Sequence, residues 1–273
     1  MGSGIAEVCA RAGLDTIVME QDEAALGAGR KRIEASFDRA VRSSKMSDAD
    51  RDRAFGRLHF TTNIEDLADR DLVIEAIAEN EEAKMELFTT LDRVVTNPAA
   101  ILASNTSSIP IMKLAMATSR PGQVVGIHFF NPVPVLRLVE LVTSLVSTEE
   151  AVEEARHFAN EQLGKTVINS QDRAGFIVNA LLIPYLLSAI RMLESGFATA
   201  SDIDAGMVLG CAHPMGPLAL TDLIGLDTTL AVAVSLYEEF KEPLYAPPPL
   251  LSRMVEAGLL GRKSGRGFYS EYG

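Results

Sequence analysis

Cysteine is nearly missing from this sequence, histidine is scarce, and no apolar run is long. The two cysteines, Cys9 and Cys211, stand far apart in apolar contexts. Neither they nor the four histidines (His59, His128, His157, His213) fall in a metal-ligand spacing, so no metal site or disulfide framework is expected. Two buried free thiols are expected instead, which suits a reducing cytoplasm. The longest apolar stretch, Ala180 to Ile190, contains Pro184 and Ser188 and is too short for a membrane span, which needs about 18 residues. Arg11, Asp15 and Glu20 break any secretory core near the start. Basic residues are in deficit, 25 against 37 acidic, a formal charge of −12. That balance repels phosphate backbones and anionic lipid, so neither nucleic acid nor membrane is expected as a partner. What is present is ordinary for a globular protein. With 273 residues, 47% of them apolar, the chain can bury a sizeable core and form two domains.

Short apolar runs alternate with helical patterns over the first 170 residues. Thr16–Glu20, a run starting near Leu58, Leu72–Ile77, Ile101–Ser104 and Val124–Phe130 read as strands. Gly4–Ala12, Glu81–Val95 and Ile109–Ala117 read as helices, which together predict a parallel sheet covered on both faces. Residues 22–57 form an unusually long helical insertion, made of Asp22–Arg42 and Ser47–Phe55. Beyond residue 170 the pattern turns all-helical: Phe176–Glu194, Ser201–Leu209, Leu218–Phe240 and Leu250–Ala257. The expectation is therefore an α/β domain over 1–170, Rossmann-type and doubly wound, followed by an all-α domain over 171–273.

Two constellations carry chemistry. Gly2 and Gly4 open a helix, and Glu20 ends the following strand. That is the second half of a dinucleotide-binding unit, in which a glycine opens the helix and an acidic residue about 20 positions on binds the ribose. A plain glycine-rich helix start reads the same way. A carboxylate at Glu20 repels a 2′-phosphate and so favours NAD over NADP. The second constellation surrounds Asn131-Pro132-Val133-Pro134, where Val124–Phe130 and Leu136–Val142 form a candidate hairpin. Centred on Pro134, it sets His128 opposite Glu140, an imidazole backed by a carboxylate and suited to take an alcohol proton. A structural His–Glu pair is the alternative.

Ser104-Asn105-Thr106-Ser107-Ser108, His128-Phe129-Phe130-Asn131-Pro132 and Gly175-Phe176-Ile177-Val178-Asn179 closely resemble the L-3-hydroxyacyl-CoA dehydrogenase family. So do Glu75–Asn80, His213–Pro217, Gly225–Thr228 and Gly261–Tyr269, and the resemblance covers essentially the whole chain, in the manner of the short, free-standing actinobacterial form. The resemblance implies an NAD-linked oxidoreductase of fatty acid or butanoate metabolism. It would interconvert a short (S)-3-hydroxyacyl-CoA, such as 3-hydroxybutyryl-CoA, and the 3-oxoacyl-CoA. It implies His128 as base and Glu140 as its partner, with Ser104 and Asn179 on the substrate's 3-oxygen and thioester region. Glu79, Lys84, Ser104 and Asn131 would line the nicotinamide and its ribose, with Gly2 at the helix start and Glu20 on the adenosine ribose. The family carries a strand and two further glycines ahead of the position of Gly2. The expectation is a Rossmann sheet without its first strand, from a misassigned or shortened start. The resemblance also implies a homodimer joined through the helical domain. Six basic and two acidic residues between Arg30 and Lys45 form a local positive arm suited to coenzyme A phosphates. Two other readings remain open: a dehydrogenase of a free 3-hydroxy acid, and a non-catalytic dinucleotide-binding protein of the same fold.

Overall fold

The computed structural model describes residues 1–270. Its contacts divide the chain into two compact units, Met1–Arg173 and a second beginning at Ala174.

The first unit opens with α1 (Gly2–Arg11), then β1 (Thr16–Met19), α2 (Glu23–Arg42), α3 (Asp48–Phe55) and β2 (Leu58–Thr61). It continues with β3 (Leu72–Glu75), α4 (Glu81–Val94), β4 (Ile101–Ser104), α5 (Ile111–Met116), β5 (Val124–Phe129), β6 (Leu138–Thr143), α6 (Glu149–His157) and β7 (Thr166–Gln171). The capping chemistry is local. Asp22, Ser47, Asn80 and Thr148 each accept a backbone N–H from the first turn of the helix they precede.

Strand pairing departs from one continuous sheet. β1 pairs in parallel with β2, and β3-β4-β5-β6-β7 form a separate five-stranded sheet. Among the described residues no strand joins β1 to β3. A cleft of about 910 Å³ is lined by both, including Ile17, Val18, Val73 and Ile74. Its lining does not include His128 or Ser104. The β3–β4 and β4–β5 pairs are parallel, and β5–β6 is the antiparallel hairpin. β7, with parallel pairing to β6, went unread in the sequence because its TVINSQ run is mostly polar.

One core lies between the five-stranded sheet, α1 and α6, with Ile127, Phe129, Val139, Leu141 and Ala155 at its centre. The insertion has its own core, where Ile33 and Phe37 of α2 meet Ala6 and Ala10 of α1. The insertion thus packs directly on the helix that opens the dinucleotide half-motif.

The second unit holds α7 (Val178–Glu194), α8 (Ala200–Cys211), α9 (Pro217–Ile224), α10 (Leu226–Phe240) and α11 (Pro249–Glu256). The predicted single helix Leu218–Phe240 is two helices bent by 97°. Gly225 at φ 103° breaks it, a backbone geometry closed to most side chains. The predicted helix from Phe176 begins at Val178, because Gly175 and Phe176 both have positive φ. Cys9 is buried, and burial pushes its thiol up to about 12, which makes it inert. Cys211 is exposed, contrary to expectation. It is the last residue of a helix whose apolar Leu209 also faces outward.

Candidate active site

The register of the large sheet assembles the site. Glu75 pairs with Ser104, Ser104 with Gly126, and His128 with Glu140. Side chains alternate along a strand, so Glu75, Ser104, His128 and Glu140 stand on one face near the carboxyl ends of β3, β4 and β5. His128 and Glu140 are both buried, and His128 Nδ1 lies 2.7 Å from Glu140 Oε2. With Nδ1–H directed at the carboxylate, the neutral ring carries its lone pair on Nε2, which is the tautomer of a base. The Phe130 ring lies 4.7 Å from the imidazole, centroid to centroid. Asn105 Oδ1 accepts from Phe129 N at 2.9 Å, tying the end of β4 to the strand that carries His128.

Beside this pair sits a buried polar network. Lys84 on α4 donates to Glu75 Oε1 at 2.5 Å and lies 3.3 Å from Glu79 Oε2. Glu75 Oε1 also accepts from Ile77 N at 2.6 Å, and Ser104 Oγ donates to Glu75 Oε2 at 2.6 Å. Lys84 is 1% exposed, so its ammonium is turned to Glu75 and Glu79 rather than to the surface. Glu79 organises the loop after β4. Its Oε1 accepts from Thr106 Oγ1, Ser107 N, Ser108 N and Ser108 Oγ. Burial pushes the Glu79 carboxyl up, but the Thr106 hydroxyl, the Lys84 charge and the Ser107 and Ser108 bonds outweigh it. The group is held below the usual glutamate range.

The half-motif residues gather at the ends of β1 and β3. A Cβ on Gly2 would lie 3.7 Å from Ala76, just past β3, and one on Gly29 of α2 would lie 3.9 Å from Glu20 Oε1. The N-terminus of α1 therefore stands beside both strand ends, with Glu20 next to it. Asn131 precedes Pro132 in a cis peptide at the end of β5. The turn that follows is pinned by buried Lys165, which donates to Val133 O at 2.5 Å and Leu136 O at 2.7 Å. Asn179 belongs to the second unit, in the first turn of α7.

Glu75, Asn105 and Lys165 are the residues that sequence reasoning missed. Glu75 left a signal, a lone carboxylate inside the apolar run LVIEAI. Such a group is stable inside a sheet only when its partners are built in.

A parallel sheet with a helix N-terminus and an acidic residue at its strand ends, beside a buried imidazole–carboxylate pair, defines a dinucleotide-linked oxidoreductase. Comparison with known families is specific. The 3-hydroxyacyl-CoA dehydrogenase NAD binding domain matches residues 1–173, and the C-terminal domain of the same enzymes matches residues 175–271. The chain belongs to the 3-hydroxyacyl-CoA dehydrogenase family. It is 62% identical over 270 residues to a 3-hydroxybutyryl-CoA dehydrogenase of Mycobacterium tuberculosis, covering 99% of this chain and 94% of that one. It is 44% identical over 273 residues to the 3-hydroxybutyryl-CoA dehydrogenase of Bradyrhizobium diazoefficiens, covering 100% and 92%. The crystal structure of M. tuberculosis FadB2 superposes with a TM-score of 0.99 at 62% identity, over 100% of this chain and 95% of that one.

Proposed function

We propose that this chain interconverts a short (S)-3-hydroxyacyl-CoA, 3-hydroxybutyryl-CoA foremost, and its 3-oxoacyl-CoA, in fatty acid or butanoate metabolism. The observation that carries the reading is the buried His128–Glu140 pair, in a chain 62% identical to a 3-hydroxybutyryl-CoA dehydrogenase. NAD, when bound, supplies the hydride acceptor. The donor set fits it: Gly2 at the start of α1, Glu20 for the ribose hydroxyls, and Glu79 and Asn131 toward the nicotinamide end. His128 Nε2 takes the 3-hydroxyl proton as hydride leaves the same carbon. Glu140 stabilises the imidazolium that results. In the reverse direction the imidazolium returns the proton to the 3-oxygen. Ser104 meets the substrate's 3-oxygen, and Asn179 keeps its assignment to the thioester region on the family resemblance alone. The exposed Lys31, Arg39, Arg42 and Lys45 of the α2 arm and the turn after it suit the coenzyme A phosphates.

Exposed Leu181, Phe197 and Leu209 on the helical unit support a homodimer joined there. Two free thiols support a reducing, cytoplasmic setting. Initial rates with NAD test the substrate assignment. (S)-3-Hydroxybutyryl-CoA is expected to generate NADH and free (S)-3-hydroxybutyrate not to. Equal or faster turnover of the free acid would hand the site to the free hydroxy acids.

A further inference from the structure

Ser104 has one proton to give, and Glu75 takes it. A hydroxyl offers one donor and two acceptor positions. Here Oγ donates to Glu75 Oε2 at 2.6 Å and accepts from Thr106 N at 3.1 Å, which leaves a single lone pair for a ligand. The Glu75 carboxylate is in turn surrounded by donors only: Lys84 Nζ at 2.5 Å, Ile77 N at 2.6 Å and the Ser104 hydroxyl. Both oxygens are therefore committed as acceptors. Neither can return a proton to Ser104 while the Lys84 ion pair holds. Glu75 is 3% exposed, so water does not reach in to relax the arrangement.

We propose that Glu75 is a positioning residue that locks Ser104 as a hydrogen-bond acceptor, so that the site distinguishes the alcohol from the ketone at the 3-oxygen. The inference rests on the reading above, in which Ser104 meets that oxygen. The sheet register sets Ser104 and His128 about 8 Å apart at their Cα atoms, on one face of neighbouring strands. A 3-hydroxyl brings a proton that either acceptor, Ser104 Oγ or His128 Nε2, can receive. A 3-oxo group brings none, and its lone pairs face the lone pair of Ser104. Only the protonated His128 can then bind it. The network thus ties binding of the oxo substrate to the imidazolium, the protonation state that reduction needs.

Glu75→Gln reverses the polarity with almost no change of shape. The carbonyl of the substituted amide must stay with the Lys84 ammonium and Ile77 N–H, since an amide nitrogen there would face two donors. The amide N–H then points at Ser104 Oγ and turns the serine proton toward the ligand. The test measures KM for acetoacetyl-CoA with NADH and for (S)-3-hydroxybutyryl-CoA with NAD, in wild type, Glu75→Gln, Ser104→Ala and the double variant. Glu75→Gln is expected to lower the ratio of oxo to hydroxy KM by about fivefold, the worth of one ordinary hydrogen bond. Ser104→Ala is expected to raise the hydroxy KM, leave the oxo KM unchanged or lower it, and abolish the effect of Glu75→Gln in the double variant. If Glu75→Gln does not fold, Ser104→Ala alone decides. An oxo KM that rises with the hydroxy KM overturns the inference, as does an equal change of both in Glu75→Gln. A wild type that turns over neither thioester overturns the functional reading instead.

Discussion

Glu140 supplies His128 with charge as well as orientation. Glu140→Gln keeps a hydrogen-bond acceptor near Nδ1 but removes the carboxylate that stabilises the imidazolium. We expect kcat to fall by about 10-fold or more with little change in substrate KM, read from steady-state rates. The proposed reading gives Glu20 the adenosine ribose of the cofactor. Glu20→Ala should raise kcat/KM for NADP relative to NAD, because the repelling carboxylate is gone; an unchanged ratio would mean that Glu20 points away from the ribose. Glu79 gives a pH signature. Its carboxyl is held below the usual range in the folded protein, so its bonds stabilise the fold at neutral pH, where both folded and unfolded forms are ionised. That contribution is lost as pH falls through the ordinary glutamate value and then through the lowered one. The Tm difference between wild type and Glu79→Gln should therefore be present at pH 7 and disappear at acid pH. A difference constant over that range contradicts the role. At this scale the sequence was legible where chemistry sits in a hairpin. The spacing around Pro134 set His128 against Glu140, and that is the register found. Glu75 escaped because its partners, Lys84 nine residues on and Ser104 on the next strand, meet only through the β3–β4 register.

Among the elements, α9 shows how a motif with no chemistry is fixed by packing. Asp204 on α8 accepts from Leu218 N at 2.8 Å and Ala219 N at 2.9 Å, capping α9, and from the Tyr269 hydroxyl at 2.7 Å. A Cβ on Gly216 would lie 2.3 Å from the Asp204 Cβ and Cγ, so only glycine admits that cap. Gly216→Ala should cost about 2 kcal/mol or more, through overpacking and loss of the cap, measured by urea denaturation. Stability unchanged within a few tenths of a kcal/mol would show that the helices shift freely. The break at Gly225, the helix α6 and the polar strand β7 were missed by pattern reading. An apolar period continues unbroken across a bend, and an outer strand needs little apolar surface. The α2 arm is distinct from both. Arg30 is already engaged, bonded to Glu34 and lying 5.3 Å from the Phe55 and Phe60 ring centres, so it braces the insertion. Reversing the charges of Lys31, Arg39, Arg42 and Lys45 should raise KM for acetoacetyl-CoA and leave that for an N-acetylcysteamine thioester nearly unchanged. The loss should be about 1 kcal/mol or less per residue and should weaken at high salt. Equal changes for both thioesters would show that the arm acts through folding.

Over the whole molecule, the two-part architecture was visible in the switch from alternating strand and helix to helix alone. The first unit closes at Arg173, three residues beyond the expected change. The family resemblance led to the expectation of one sheet without its first strand; the division into a pair and a set of five was not read, since β1 and β3 each have the composition of a central strand. If the exposed apolar side chains of the helical unit join two copies, light scattering should give about twice the chain mass of 29.4 kDa, and Leu209→Glu should lower it. The proposed chemistry rests on one imidazole. The most direct test is therefore the turnover of (S)-3-hydroxybutyryl-CoA with NAD by His128→Gln beside wild type, with NAD and substrate binding measured separately. The account predicts a fall in kcat of about 10² or more with binding nearly unchanged, because the base acts on the proton and not on affinity. Turnover close to wild type would contradict it.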